Sequence, residues 1–468
     1  MRSRKGHMNK SISGLAMLSA LAFSAGQAGA DPNVEALEAL GKQVFFDEIS
    51  VPARQSCATC HVPANGFTAG VAAINLNGVA VTGANPHTVG NRKPPSAAYA
   101  ASSPNLSGGF FGPDCSAAPF GLFCIGGVFW DGRATGTAIG DEVFEGDADL
   151  TSAYAGFLGP LADQALGPFA NHVEQNVPDG NTELPGAEAV CNHVANARYA
   201  PLFELAWGDD PDCANADLEF KRIAVAISAF EHSSEMNSFS SFRDIALAND
   251  ADGHFPLDDF SAQENLGHDL FYNTVANGGA GCASCHNNGA PFLIFAPDFS
   301  LIQNPDARGE EPDQIYSDNS FHNIGLPPNP EAAHFDPSNP DLGLAEFTGV
   351  PGHEGDFRTP TLRNVDMRRG NGFPKAYMHN GYFKSLEQVV HFYNTATSKP
   401  VCQMSGASAE QAIANNCWPL AETTPVLPLT GLVGDLGLTP QEEAALVAYL
   451  KTLTDTTEVR APQPFVAH

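Results

Sequence analysis

Two short runs constrain this chain more than anything else in it: "SCATCH" (Ser56–His61) and "GCASCH" (Gly281–His286). In each, two thiols stand one helical turn apart and a histidine follows at once. That spacing lets both thiols add across the vinyl groups of one haem while the adjoining imidazole reaches the iron as proximal ligand. Cys57, Cys60, Cys282 and Cys285 are therefore the expected attachment points of two covalently bound c-type haems, and His61 and His286 the expected iron ligands. Such a group brings its own apolar surface, so helices and irregular loops can pack on it without a large sheet.

Haem attachment by thioethers belongs outside the reducing cytosol, and the N-terminus agrees. Arg2, Arg4, Lys5 and Lys10 precede an apolar run from Ile12 to Phe23, which ends near the small-residue site Ala28-Gly29-Ala30. Residues 1–30 read as a signal peptide, which predicts export to the periplasm. No later stretch is apolar enough for a membrane span. The remaining six cysteines fall into sequence-near pairs, 115–124, 191–213 and 402–417. Local pairing is the favoured arrangement, although six cysteines allow fifteen connectivities and free thiols are the alternative.

The formal net charge is −30, and four of the 23 basic residues sit in the leader. Nucleic acid is excluded as a partner by that balance. A basic redox protein could be steered to such a surface, and solubility alone would explain many of the same charges.

The order of landmarks reveals a duplication. "LGKQVFFDE" (Leu40–Glu48) precedes the first haem motif and "LGHDLFYN" (Leu266–Asn273) the second. Downstream, "NRKPPS" is echoed by "FRTPTL", and "FWDGR" by "YMHNGYF". Recurrence in one order points to two homologous halves. The expected fold is mainly α, with two cytochrome c-like haem domains and long irregular loops, since Gly and Pro account for 45 and 35 residues. Boundaries are expected at 31–245 and 246–468. Ser261 with Glu264, and Thr439 with Glu442, stand in capping-box register, and Pro440 suits a first helical position. The helical apolar spacing of Ile223, Ala226, Ile227 and Phe230 is read as a connector or brace between the halves.

Together these motifs resemble the bacterial di-haem cytochrome c peroxidases and their relative MauG, over nearly the whole chain from Leu40 to about Thr454. The resemblance implies hydrogen peroxide chemistry at the N-terminal haem and electron exchange through the C-terminal one. It places Trp130 of "FWDGRA" between the haems as an electron relay, and makes Gln164 and Glu174 of "QALGPFANHVE" the distal acid–base pair. In the peroxidases, a methionine fourteen residues after the histidine of "HNG" ligates the second iron, and in MauG a tyrosine does. Here that count from His379 reaches Tyr393, with Met378 and Met404 as alternative ligands. At the first iron, His87 is a candidate switchable ligand, and Asn77 stands where the resting peroxidases place their histidine.

Calcium is uncertain. The family's interhaem ion uses an asparagine after the motif arginine, whereas Lys93 follows Arg92 here; the remaining carbonyl ligands would correspond to Pro374 and Ala376. The expected activity is that of a di-haem oxidoreductase acting on hydrogen peroxide. Its electrons or oxidising equivalents would pass to a redox partner protein, either a basic cytochrome c or a protein substrate modified as by MauG. A passive electron-transfer cytochrome is the contrasting possibility.

Overall fold

The computed structural model describes residues 33–287, 293–295, 301–303, 309–333, 335–370, 372–404, 406–426 and 431–465. The expected signal peptide lies outside the described residues. The fold is mainly helical: strands among the described residues form two short antiparallel ladders, Leu293–Phe295 with Leu301–Gln303 and Phe321–His322 with Phe357–Arg358.

The first helix, Val34–Phe46, starts at Asn33, whose side chain accepts from Ala36 N, and buries Leu37, Leu40, Gly41, Val44 and Phe45 on one face. This i, i+3, i+4 stripe faces the helix Ala216–His232. Gly41 sets how close they come, because a Cβ there would lie 1.8 Å from the carbonyl oxygen of Ala226. The arrangement recurs later in the chain. The helix Ala262–Tyr272 opens on the Ser261–Glu264 capping box, and Gly267 presses on Pro440–Lys451, where a Cβ would lie 2.1 Å from the oxygen of Ala445. Thr439 and Glu442 form the second expected capping box, with Pro440 in the first turn.

Ala216–His232 is not a brace between halves. It is buried almost all round and packs against Val34–Phe46, Pro160–Ala170 and Ala187–Ala195, inside one hydrophobic cluster. A helix apolar on every face has to be wrapped on every face, which a connecting element is not. Pro440–Lys451 takes the corresponding place in a second cluster, with Phe271, Tyr316, Phe383 and Leu446.

The sequence landmarks coincide with matched backbone geometry. Left-handed φ values pair Phe67 with Tyr316 (56° and 58°), Tyr99 with Asn364 (60° and 59°), and Phe129 with Met378 (66° and 68°). Two hydrogen bonds cross reciprocally: Lys93 N donates to His379 O at 2.7 Å, and Arg358 N to Trp130 O at 2.9 Å. A buried Arg92 adds a clamp, forking onto Asp341 (2.6 and 2.7 Å) while also reaching Asp131 and Glu346. The disulfides are Cys115–Cys124, Cys191–Cys213 and Cys402–Cys417, the local pairing. None of the helices among the described residues is long and apolar enough to cross a membrane.

Candidate functional site: two adjoining haem cavities

Each Cys-x-x-Cys-His motif forms the wall of its own cavity. The four motif cysteines are the free ones among the described residues. Cys57, Cys60 and His61 line a cavity of about 200 Å³, and Cys282, Cys285 and His286 one of about 230 Å³. The two histidines are held alike. His61 Nδ1 donates to Phe67 O at 3.1 Å, and His286 Nδ1 to Tyr316 O at 3.0 Å, the acceptors being the two left-handed residues that match in the repeat. A carbonyl can only accept, so each bond fixes the tautomer that leaves Nε2 with a lone pair. The supporting loop is pinned the same way twice: Ser96 Oγ donates to Gly66 O at 2.9 Å, and Thr361 Oγ1 to Ile315 O at 2.6 Å. Burial pushes both imidazoles toward the neutral form that ligates. Paired thiols, an oriented imidazole and an enclosing cavity fit a covalently attached haem in both places.

Trp130 stands where the cavities meet. It lines both, together with Lys93, Pro95 and Ser96. Its indole Nε1 donates to Lys93 O at 2.7 Å, and its ring centroid lies 6.2 Å from that of His379, its counterpart in the repeat.

Gln164 and Glu174 both line the His61 cavity. Gln164 rides on the helix Pro160–Ala170, while Glu174 ends a tight turn in which Asn171 Oδ1 accepts from Val173 N (3.1 Å) and Asn171 O from Glu174 N (2.9 Å). Burial raises the pKa of Glu174, partly offset by the Arg133 guanidinium. Arg133 also lines the cavity and lies over the Phe129 ring at 3.7 Å. His87, in contrast, is exposed at a turn and is not part of the cavity wall.

One cavity residue escaped sequence reading. Glu231 sits in Ala216–His232 as a 4% exposed carboxyl on the His61 cavity, and its Oε2 has no hydrogen-bond partner. Burial pushes its pKa up to about 8. The available signal was a lone carboxylate one position past the apolar stripe ending at Phe230.

The second cavity is walled differently. Tyr393, on the helix Leu386–Thr395, lines it beside Met378, Leu386, Val389, Leu446 and Leu450. Burial pushes the Tyr393 phenol up. Met404 is 47% exposed and outside the wall. His322 also faces this cavity, its Nε2 bonded to Ser320 Oγ at 2.7 Å and 3.2 Å from Asp318 Oδ2. Around the expected calcium position, the Pro374 carbonyl accepts from Asn75 Nδ2 at 2.9 Å. The buried Lys375 Nζ donates nearby to the carbonyls of Asn65, Asn364 and Met367 at 3.0 to 3.2 Å.

Comparison with known proteins agrees with this geometry. Residues 35–252 match the family described as di-haem cytochrome c peroxidase. Methylamine utilization protein MauG of Paracoccus denitrificans is 30% identical over 456 residues, covering 94% of each chain. Cytochrome-c peroxidase IdrP2 of Denitromonas iodatirespirans is 24% identical over 477 residues, covering 95% of this chain and 92% of that protein. The fold is shared with the diheme peroxidase BthA from Burkholderia thailandensis, at a TM-score of 0.62 and 24% identity over 91% of this chain and 87% of that one. The chain therefore belongs to the di-haem cytochrome c peroxidase and MauG family of oxidoreductases, whose members carry two c-type haems.

Proposed function

We propose that this protein is a periplasmic enzyme that activates hydrogen peroxide at the His61 cavity and exchanges electrons through the His286 cavity. Two cytochrome c-like domains, 31–245 and 246–468, would each carry one haem, after a signal peptide spanning residues 1–30. The observation that carries this reading is the meeting of Gln164, Glu174 and Arg133 on the cavity wall that also holds His61. When bound, the haem supplies an iron that takes peroxide and can give up electrons to it.

The chain's own residues handle the protons and the placement. His61 Nε2, left with its lone pair because Nδ1 donates to Phe67 O, would hold the iron. Glu174 takes the proton from the near oxygen of peroxide and returns it to the departing one, as a general base and then a general acid. A carboxyl with a raised pKa suits the second half of that exchange, while Arg133 keeps the ionised form accessible for the first. Gln164 has both a donor and an acceptor to hold the peroxide in register. Trp130, between the cavities, carries the electronic coupling.

Tyr393 favours a MauG-like outcome over detoxification. A phenolate ligand stabilises the oxidised metal, so the His286 site would be a poor acceptor from an ordinary cytochrome c and would instead share oxidising equivalents with the first. The partner is then a protein whose residues are oxidised. Glu174→Gln tests the reading: both haems should remain attached while peroxide activation slows by about two to four decades. Unchanged kinetics would remove Glu174 from the mechanism, whereas a wild-type protein inert to peroxide would revive the passive electron carrier.

A further inference from the structure

Position 99 departs from its own duplicate. Tyr99 and Asn364 match in the repeat, and both hold left-handed backbone, φ 60° and 59°. Asparagine tolerates that region; a bulky aromatic residue there is an outlier that something else must hold in place. The Tyr99 hydroxyl meets a shared carboxylate. Tyr99 Oη donates to Asp455 Oδ2 at 2.7 Å, and Asn364 Nδ2 donates to the same oxygen at 2.9 Å. Ser240 N donates to Oδ1 at 3.1 Å, and Phe239 N donates to Tyr99 Oη at 2.9 Å.

This phenol lines neither cavity, but residues beside it line both. Its neighbours Ala97 and Ala100 line the first cavity. Arg363 and Asn364 line the second. The Arg363 guanidinium sits 5.4 Å from the Tyr99 ring centroid and 5.6 Å from that of Tyr316, whose carbonyl orients His286. Tyr99 is 2% exposed and packs edge-on against Phe239 at 5.0 Å. Arg363 is itself paired with Asp244, a carboxylate it shares with Arg243.

A phenol is hard to oxidise when its proton has nowhere to go, because losing an electron makes the O–H strongly acidic. Tyr99 has a carboxylate acceptor at hydrogen-bond distance and little solvent to compete with it. Burial and the adjoining Asp455 keep it a neutral phenol beforehand.

We propose that Tyr99 is a redox-active tyrosine that stores one oxidising equivalent when no reductant or partner is docked. The O–H bond breaks, the proton passes to Asp455 Oδ2, and the electron reduces the first-cavity haem after hydrogen peroxide has oxidised it. The products are a neutral tyrosyl radical and a protonated Asp455. This inference rests on the reading that peroxide is activated in the His61 cavity. Tyr199 offers a contrast: it donates to Asp47 at 2.6 Å, but neither it nor its sequence neighbours line a cavity.

The test uses the oxidised holoprotein, one equivalent of hydrogen peroxide and no reductant, with peroxide consumption followed in parallel. Samples frozen after mixing are read by electron paramagnetic resonance, with and without ring-deuterated tyrosine. Wild type should give a free-radical signal that narrows on deuteration. Tyr99→Phe should lose it, and Tyr199→Phe should keep it. Asp455→Asn, which retains side-chain hydrogen bonding but removes the proton acceptor, should form it about tenfold or more slowly. A deuteration-sensitive signal that survives in Tyr99→Phe, or keeps its full rate in Asp455→Asn, overturns the proposal. Consumption without any tyrosyl signal removes Tyr99 alone; no consumption by wild type removes the peroxide reading and this inference with it.

Discussion

The two cavities are alike in the residues that attach a haem and unlike in the rest of their lining. Both motif histidines bond a left-handed residue's carbonyl, and both support loops are pinned by a hydroxyl. Elsewhere in the lining, the first cavity presents Gln164, Glu174 and Arg133, whereas the second presents Tyr393, Met378 and His322 among leucine and valine side chains. The residues that hold the cofactor are thus repeated, and the rest of the lining is not.

The sharpest way to break that contrast is Glu174→Gln, with its expected loss of about two to four decades in peroxide activation. The second haem's absorption should not change, and if it does, the walls are not independent. Next in size is the shared scaffold. Gly41→Ala and Gly267→Ala each drive a methyl into a facing helix backbone, and overpacking of that kind costs about 1–3 kcal/mol or more. Thermal unfolding should show the loss in both variants, with disturbed haem absorption confined to the half that carries the substitution. Equal disturbance of both haems by one glycine would mean the halves fold as a single unit.

A pH-dependent effect distinguishes Glu231 on the first cavity wall. Its folded pKa is raised to about 8, so the neutral form is the one the fold accepts. Its contribution is present at acidic pH and lost as pH rises through the folded value. Glu231→Gln should therefore match wild type near pH 5 and be the more stable protein near pH 9, by on the order of a few kcal/mol in denaturant titrations. Equal curves at both pH values would show that the carboxyl is solvated in the holoprotein. The least costly change is Tyr393→Phe, which should alter the ligand-field spectrum of the second haem while peroxide consumption at the first stays within about a factor of two. An identical spectrum would hand that iron to Met378.

Much of this site was legible in residue order. Haem attachment fixes local spacing absolutely, so the cysteines and histidines could be read directly, and the capping boxes at Ser261 and Thr439 follow from equally local hydrogen bonding. Gln164, Glu174 and Trp130 were placed through the motifs around them, and the structure brings all three to one cavity. What escaped depends on long-range packing. The helix Ala216–His232 shows the same periodicity whether it braces two halves or fills one, and its largest packing partner, Val34–Phe46, lies nearly two hundred residues away. The Arg92 clamp joins Asp131 and Asp341, and the Asp455 carboxylate gathers Tyr99 and Asn364; neither grouping leaves a trace in local sequence. His87 was read by proximity to a motif, and an exposed turn carries it away from the cavity.

The central claim is that the His61 cavity is ready to activate peroxide in the resting, fully oxidised protein. It is tested most directly by adding one equivalent of hydrogen peroxide to that protein and following peroxide loss together with visible and near-infrared absorption. The account predicts immediate consumption, with the absorption of both haems changing together. Absence of any reaction until one haem has been reduced would contradict it and would assign the chain to the reductively activated peroxidases.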